Sequence, residues 1–301
     1  MTENASDIPD DGPLAGLLTA LDLTDTGART SEDISTGPSQ WMPMGRVFGG
    51  QVLAQSLVAA MRTTDADRRP HSMHGYFLRP GDVTKPITFS VDRIHDGRSF
   101  STRRTQAYQD GRPILSMIAS FQDADEGLEH QAPMPEGIPE PESLPSARDV
   151  LSRIDHPVAA HWANDRPFDM RHVEQPVYFG AAPDRVAHQA VWIRAIGRLP
   201  DDPAVHLAAL AYASDYSILE SIYRRHGLSW ATPGIKAASL DHAMWFHRFG
   251  RADEWMLYVQ ESTSAQGGRG LSLGRIYSRD GVLLASVAQE GMVRVPAEAR
   301  G

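Results

Sequence analysis

The 301-residue chain has no cysteine. That excludes disulfide frameworks, thiolate zinc sites and a thiol nucleophile, and it agrees with a cytoplasmic location. Lysine is almost missing too: Lys85 and Lys236 stand alone, and arginine carries the rest of the positive charge. The formal net charge is −9. A broad nucleic-acid surface needs a basic balance, so no nucleic-acid partner is expected, and an anionic small ligand would have to be met by local arginines. No apolar run approaches the ~20 residues of a membrane-spanning helix, and "MTENASDIPDDG" lacks the basic and apolar regions of a secretory signal. Residues 1 to 12 read as a flexible, acidic tail.

What is present is an ordinary globular balance, 41% hydrophobic and 22% charged. "PLAGLLTALDL" spaces its leucines as a helix does, with Pro13 near the start. Gly49-Gly50 opens a second helix in "RVFGGQVLAQSLVAAMRTT". Strand-like runs follow, "HSMHGYFLR", "ITFSVDRIHDG", "SFSTRRTQAYQDG" and "RPILSMIASFQ", divided by turn pairs such as Asp96-Gly97 and Asp110-Gly111. From residue 123 the composition turns to proline and glutamate, which reads as a linker or a loosely held surface segment. A helix is expected within 147 to 165, and strands at "FDMRHVE" and "QAVWIRAIGRL".

The first pattern then returns. The helix "AVHLAALAYASDYSILESIYRRHG" precedes "IKAASLDHAMWFHR", "WMLYVQESTSAQ", "RGLSLGRIYSRDG" and "VLLASVAQEGMVRV". "DGRPILSMIAS" matches "DGVLLASVAQE", and "MHGYFLR" matches "DHAMWFHR", both at an offset of about 170 residues. One helix with four or five strands, twice, implies a duplicated α+β unit. Units are expected at 13–122 and 166–296, with a linker over 123–165.

Three polar residues lie on rows that otherwise look built for a core. Gln289 follows Leu283, Ala285 and Val287 on one face of a strand. Ser239 alternates with Ile235, Ala237, Asp241 and Ala243. Asp215 shares a helical face with Ile218, Leu219 and Ile222, near a break after Ala213-Ser214. Each has a plain structural explanation. A helix-start aspartate caps, with the dipole favouring its charge, and a strand serine packs with its hydroxyl satisfied. Together, a carboxylate, a hydroxyl and an amide directed at one interior could hold a water, Asp215 accepting its proton while Ser239 and Gln289 orient it.

These segments resemble the acyl-CoA thioesterase II family, the double-hotdog enzymes. The likeness runs over nearly the whole chain, through "GRVFGGQVLAQSL", "HSMHGYFLRPGD", "YASDYSILE", "SLDHAMWFHR" and "GVLLASVAQEGMVR". It implies two fused hotdog units, each a long helix wrapped by a curved antiparallel sheet, with the sheets joined side by side. It also implies that Asp215, Ser239 and Gln289 are the catalytic set, in the second unit only, acting on acyl-CoA without metal or cofactor. A homo-oligomer, dimer or tetramer, follows from the same resemblance. An enoyl-thioester hydratase and a non-catalytic acyl-CoA-binding protein are the alternatives.

Other motifs carry less. "GLSLG" matches the G-x-S-x-G elbow around Ser272, but the residues after it read as strand and turn, not helix. His71 with His74, or His242 with His247, lacks a metal-binding frame, and His242 reads as a strand histidine with a hydrogen-bonded ring. The pairs Arg68-Arg69, Arg103-Arg104 and Arg224-Arg225 read as solvated surface groups able to meet phosphates.

Overall fold

Proline sets the starts of three of the described α-helices, at Pro13, Pro157 and Pro203. Pro13 opens α1 (Pro13–Leu21), which buries Leu14, Leu17 and Leu21. After β1 (Thr24–Asp25) and β2 (Asp33–Gly37) comes α2 (Gly49–Met61), then β3 (Arg69–Phe77), β4 (Ile87–Asp96), β5 (Phe100–Gln109) and β6 (Arg112–Gln122). The β5–β6 hairpin turns at Asp110-Gly111, both with positive φ (50° and 69°), as a two-residue turn matched to strand twist requires. These observations come from a computed structural model, which describes residues 12–28 and 30–296. The tail expected over 1 to 12 lies, but for Gly12, outside the described residues.

The second half repeats the plan with additions. Short helices α3 (Ala147–Leu151) and α4 (Pro157–Asn164) precede β7 (Phe168–His172), β8 (His188–Ala195), α5 (Pro203–Ser214) and α6 (Glu220–His226). Then follow β9 (Lys236–Ser239), β10 (Asp241–Phe246), β11 (Met256–Gln266), β12 (Arg269–Ser278) and β13 (Leu283–Arg294). Where one helix was expected over 147 to 165 there are two, because Pro157 starts a new one and His156, not a helical residue, caps it.

All strands join one antiparallel sheet, in the order β1-β2-β4-β5-β6-β3-β10-β13-β12-β11-β8-β7, with β9 also paired to β13. The halves meet at β3 and β10, where Met73 faces Met244, flanked by Ser72 opposite Trp245 and His74 opposite Ala243. This self-complementary pairing is a local two-fold relation, and the sequence offset of about 170 residues is its register. α2 packs on β3 to β6, and α6 on β8, β11 and β12. Two helix-wrapped units side by side are the double hotdog arrangement expected above.

Three sequence readings change. First, the proline-rich segment is not loosely held over its second half. Met134, Ile138 and Leu144 pack on Trp192, Trp255, Leu257 and Tyr277 on the outer face of the second unit's sheet. Trp192 Nε1 donates to the Pro139 carbonyl, Tyr277 hydroxyl to that of Pro133, and Arg279 pairs with Glu140 and Glu142. Its few apolar groups are spaced to cover that face, which composition alone hides. Second, Leu283 does not share the row of Ala285, Val287 and Gln289. The register shifts by one around Leu284, so Leu283 faces the outer cluster. Third, Ser239 does not share a row with Asp241 and Ala243. Ser239 pairs Gly291 while Ala243 pairs Ala288, so Leu240 is an extra residue. Beyond it the buried row is His242, Met244 and Phe246.

Candidate active site

Asp202 caps α5 by accepting from the Ala204 N–H, and Pro203 sets its first turn. Eleven residues on, the helix ends at Ser214 and Asp215 is its C-cap (φ −89°, ψ −6°). Asp215 is therefore not the N-terminal cap expected from the break; Leu219 holds that place before α6 and makes no side-chain cap. Its own helix presents carbonyls and the negative dipole end, which disfavour an anion. Nor do Asp215 and Ile222 share one helical face, because residues 215 to 219 are irregular.

The helix N-terminus that does face Asp215 belongs to the first unit. The Gly50 N–H at the start of α2 donates to the Asp215 carboxylate. A Cβ on Gly49 would stand 2.5 Å from Asp215 Oδ2 and 3.1 Å from the Phe77 ring. A Cβ on Gly50 would stand 2.2 Å from the Tyr212 carbonyl oxygen. The two glycines thus let α2 dock against the end of α5, with the Gly50 N–H aimed at a carboxylate.

Ser239 and Gln289 complete the cluster. Ser239 Oγ lies 3.1 Å from Asp215 Oδ1, and Gln289 Nε2 is 2.9 Å from both Asp215 Oδ1 and Ser239 Oγ. Gln289 is fully buried (0% exposed), so its amide is satisfied by these partners. Its Oε1 meets His242 Nδ1, and His242 Nε2 is 3.0 Å from Ser214 Oγ. Aromatic rings wall the site: Phe48 stacks on Tyr216 at 4.7 Å, and Tyr258 donates to the Ser214 carbonyl at 3.0 Å.

Burial pushes the Asp215 carboxyl up to about 6, against the hydrogen bonds from Gln289, Ser239 and Gly50 that pull it down. The residue as a whole keeps some accessible surface, yet the protein around the carboxylate makes desolvation the largest influence. Of the two opposing effects weighed from sequence, burial and a helix N-terminus, burial wins. His242 is pushed down to about 4 by burial and stays neutral at working pH.

The structure brings Asp215, Ser239 and Gln289 into mutual contact, at the seam between the two units. Sequence reasoning left His242 as an ordinary strand histidine and Gly49-Gly50 as no more than the opening of a helix. A signal for the glycines existed: they align with Ser214-Asp215 in the repeat, and a two-fold relation sets equivalent positions face to face. The remaining motifs separate cleanly. Ser272 lies within β12, fully buried and 3.0 Å from Ser221 Oγ, so it forms no elbow. Arg103 and Arg224 are buried and tied to Asp96 and Asp184, so neither pair is simply solvated. Among the described residues, no group of three or more His, Asp or Glu is arranged to hold a metal ion.

Two joined hotdog units with a polar cluster at their seam, pinned by a helix start, define the class: a double-hotdog protein. A structure from Alicyclobacillus acidocaldarius described as having a hot dog fold superposes with a TM-score of 0.76 at 19% identity, over 94% of this chain and 99% of that one. The family follows from closer matches. A model described as "Acyl-CoA thioesterase" matches residues 160–292, and one described as "Acyl-CoA thioesterase N-terminal domain" matches 38–122. Acyl-CoA thioesterase 2 of Haemophilus influenzae is 38% identical over 87% of this chain and 92% of its own length. Human acyl-coenzyme A thioesterase 8 is 38% identical over 88% and 85%. The crystal structure of an acyl-CoA thioesterase II from Mycobacterium marinum is 41% identical, with a TM-score of 0.75 over 94% of this chain and 98% of that one. The chain belongs to the acyl-CoA thioesterase family.

Proposed function

We propose that this chain hydrolyses fatty acyl-CoA to a free fatty acid and coenzyme A, with Asp215 as general base and Ser239 and Gln289 holding it in place. The observation that carries this is the asymmetry of the carboxylate. Oδ1 takes both side-chain donors, while Oδ2 faces the glycine start of α2. Oδ2 removes a proton from water; the resulting hydroxide attacks the thioester carbonyl carbon. Of the first-turn N–H groups of α2, that of Gly50 is given to Asp215 and that of Gln51 to the Phe48 carbonyl, which leaves the Gly49 N–H to stabilise the oxyanion. Collapse breaks the carbon–sulfur bond, and the coenzyme A thiolate recovers the proton from Asp215. A carboxyl poised near 6 is matched to that exchange.

Direct water attack ranks above an anhydride on Asp215, because the donors around the carboxylate suit an oriented base. Turnover in heavy-oxygen water decides it: label entering the Asp215 side chain would reverse the ranking. A hydratase is not favoured, because the histidine of the network lies behind Gln289 and does not touch Asp215. A thiol-release assay over a panel of acyl-CoAs is the test. We expect release by the native chain and a loss of at least about 10³-fold in Asp215→Asn, the scale of a general base and its positioning. Binding without release, or water addition to an enoyl-CoA, would contradict the assignment.

The division into units 13–122 and 166–296 with a linker at 123–165 belongs to the same reading, as does a cytoplasmic site of action in lipid metabolism. So does self-association. Tyr76, Ile118 and Trp245 are exposed on β3, β6 and β10, on a stretch of outer sheet face where a second copy could pack. Sedimentation equilibrium tests it: a species heavier than one chain is expected, and a monomer at micromolar concentration would refute it.

A further inference from the structure

The hydrogen-bond directions in the cluster can be worked out from donor counts. Gln289 presents one end of its amide to His242 and the other to Asp215 and Ser239. A carboxylate can only accept, so the NH2 end must face Asp215, and the Oε1 end must face the ring. His242 Nδ1 therefore carries the hydrogen and donates to Gln289 Oε1. That leaves Nε2 as an acceptor; the Ser214 hydroxyl lies 3.0 Å from it and 2.8 Å from the Ala211 carbonyl, and in this tautomer its single hydrogen is divided between those two acceptors. With both NH2 hydrogens spent on Asp215 Oδ1 and Ser239 Oγ, the Ser239 hydroxyl is left to donate to Asp215 Oδ1. From the ring onward every link points the same way, from His242 through Gln289 to the carboxylate.

We propose that His242 is the positioning residue of this site: by donating to Gln289 Oε1 from a fixed tautomer, it decides which end of the amide faces Asp215. Without that donor the amide has no reason to keep its orientation. A flipped Gln289 would set Oε1 against the carboxylate, removing two donors and adding a repulsive contact. His242 is fully buried, held in β10 beyond the extra residue Leu240, and touches neither Asp215 nor Ser239. It acts only through Gln289. The inference rests on the reading of Asp215 as the general base, held in place by Ser239 and Gln289.

The test uses the full chain and steady-state thiol release from an acyl-CoA across pH. His242→Leu is expected to lower kcat about 10²-fold, the scale of a misplaced catalytic group, with KM changed far less. It should also move the acid limb of the pH profile upward, because Asp215 loses the donors that favour its charged form. The limb reports Asp215, since the other titratable groups nearest it stay in one state: burial lifts Tyr216 to about 12 and Tyr258 well above the usual range, and keeps His242 neutral. His242→Asn places an amide donor where Nδ1 stood and should keep both kcat and the limb near the native values. His242→Gln aims its amide toward Ser214 instead and should resemble the leucine variant. Adding Gln289→Ala to His242→Leu should cost little more than either change alone. If His242→Leu does not fold, the asparagine and glutamine variants carry the contrast, and equal kcat and equal limbs in those two would overturn the proposal. So would a folded His242→Leu with native kcat and limb, or fully additive losses with Gln289→Ala. Asp215→Asn is run alongside. If it keeps native activity the site reading itself fails, whereas an inactive Asp215→Asn beside a native-like His242→Leu removes only the orienting role.

Discussion

Asp215 holds a charge where the fold makes charge costly. Its folded pKa of about 6 stands above the ordinary 3.8. The folded state therefore holds a proton that the unfolded chain has released, and stability contributed by this group is present below pH 3.8 and lost as pH rises through 6. The full penalty, up to about 3 kcal/mol, applies above that range. Asp215→Asn should thus raise the urea midpoint over the native chain at pH 8 and leave little difference at pH 4. A lower midpoint at pH 8 would mean that the carboxylate stabilises the fold. At this scale the sequence was informative. A carboxylate, a hydroxyl and an amide each stood out against apolar neighbours, and the three do meet. His242 did not stand out, because histidine on a strand row is common and its partner lies 47 residues away.

Elements are where local patterns misled. Strict alternation assigned Ser239 and Asp241 to one row, but Leu240 inserts an extra residue and the Asp241 carboxylate accepts from the Glu290 N–H to hold the kink. A bulge needs a partner strand, so one strand's sequence cannot reveal it. The helix break near Ala213-Ser214 was legible; the helix that faces it was not, since α2 arrives from the other half of the chain. The two glycines of α2 have separable roles. Gly49→Ala puts a methyl group against Asp215 Oδ2 and the Phe77 ring. It should lower thiol release at least about 10²-fold, by displacing the base, while the circular dichroism spectrum stays native. Gly50→Ala meets a backbone carbonyl, which cannot rotate away, and should lower stability by about 1–3 kcal/mol in a thermal melt. Equal effects of both on activity and stability would contradict this division.

The whole molecule is two similar halves fused along β3 and β10, and the covalent connection between them is the least of what holds them together. The duplication was visible in the sequence because its segments match in order. The covering of one outer face by residues 133 to 144 was not, because proline and glutamate dominate the segment that does it. Residues 124–130 are exposed, with Leu128 fully so, whereas the following stretch is packed. Limited proteolysis should cut within 124–130 first. The nicked chain should stay one particle by gel filtration and keep its activity, since the β3–β10 ladder and the α2–α5 contact are untouched. Dissociation into halves would show the tether to be essential. The most direct measurement of how the molecule works is kcat/KM for acyl-CoA hydrolysis as a function of pH. A single acid limb centred near pH 6, with activity rising above it and abolished at every pH in Asp215→Asn, is expected from a buried base shared between the two halves. A profile flat from pH 4.5 to 8, or an Asp215→Asn variant that follows the native curve, would contradict it.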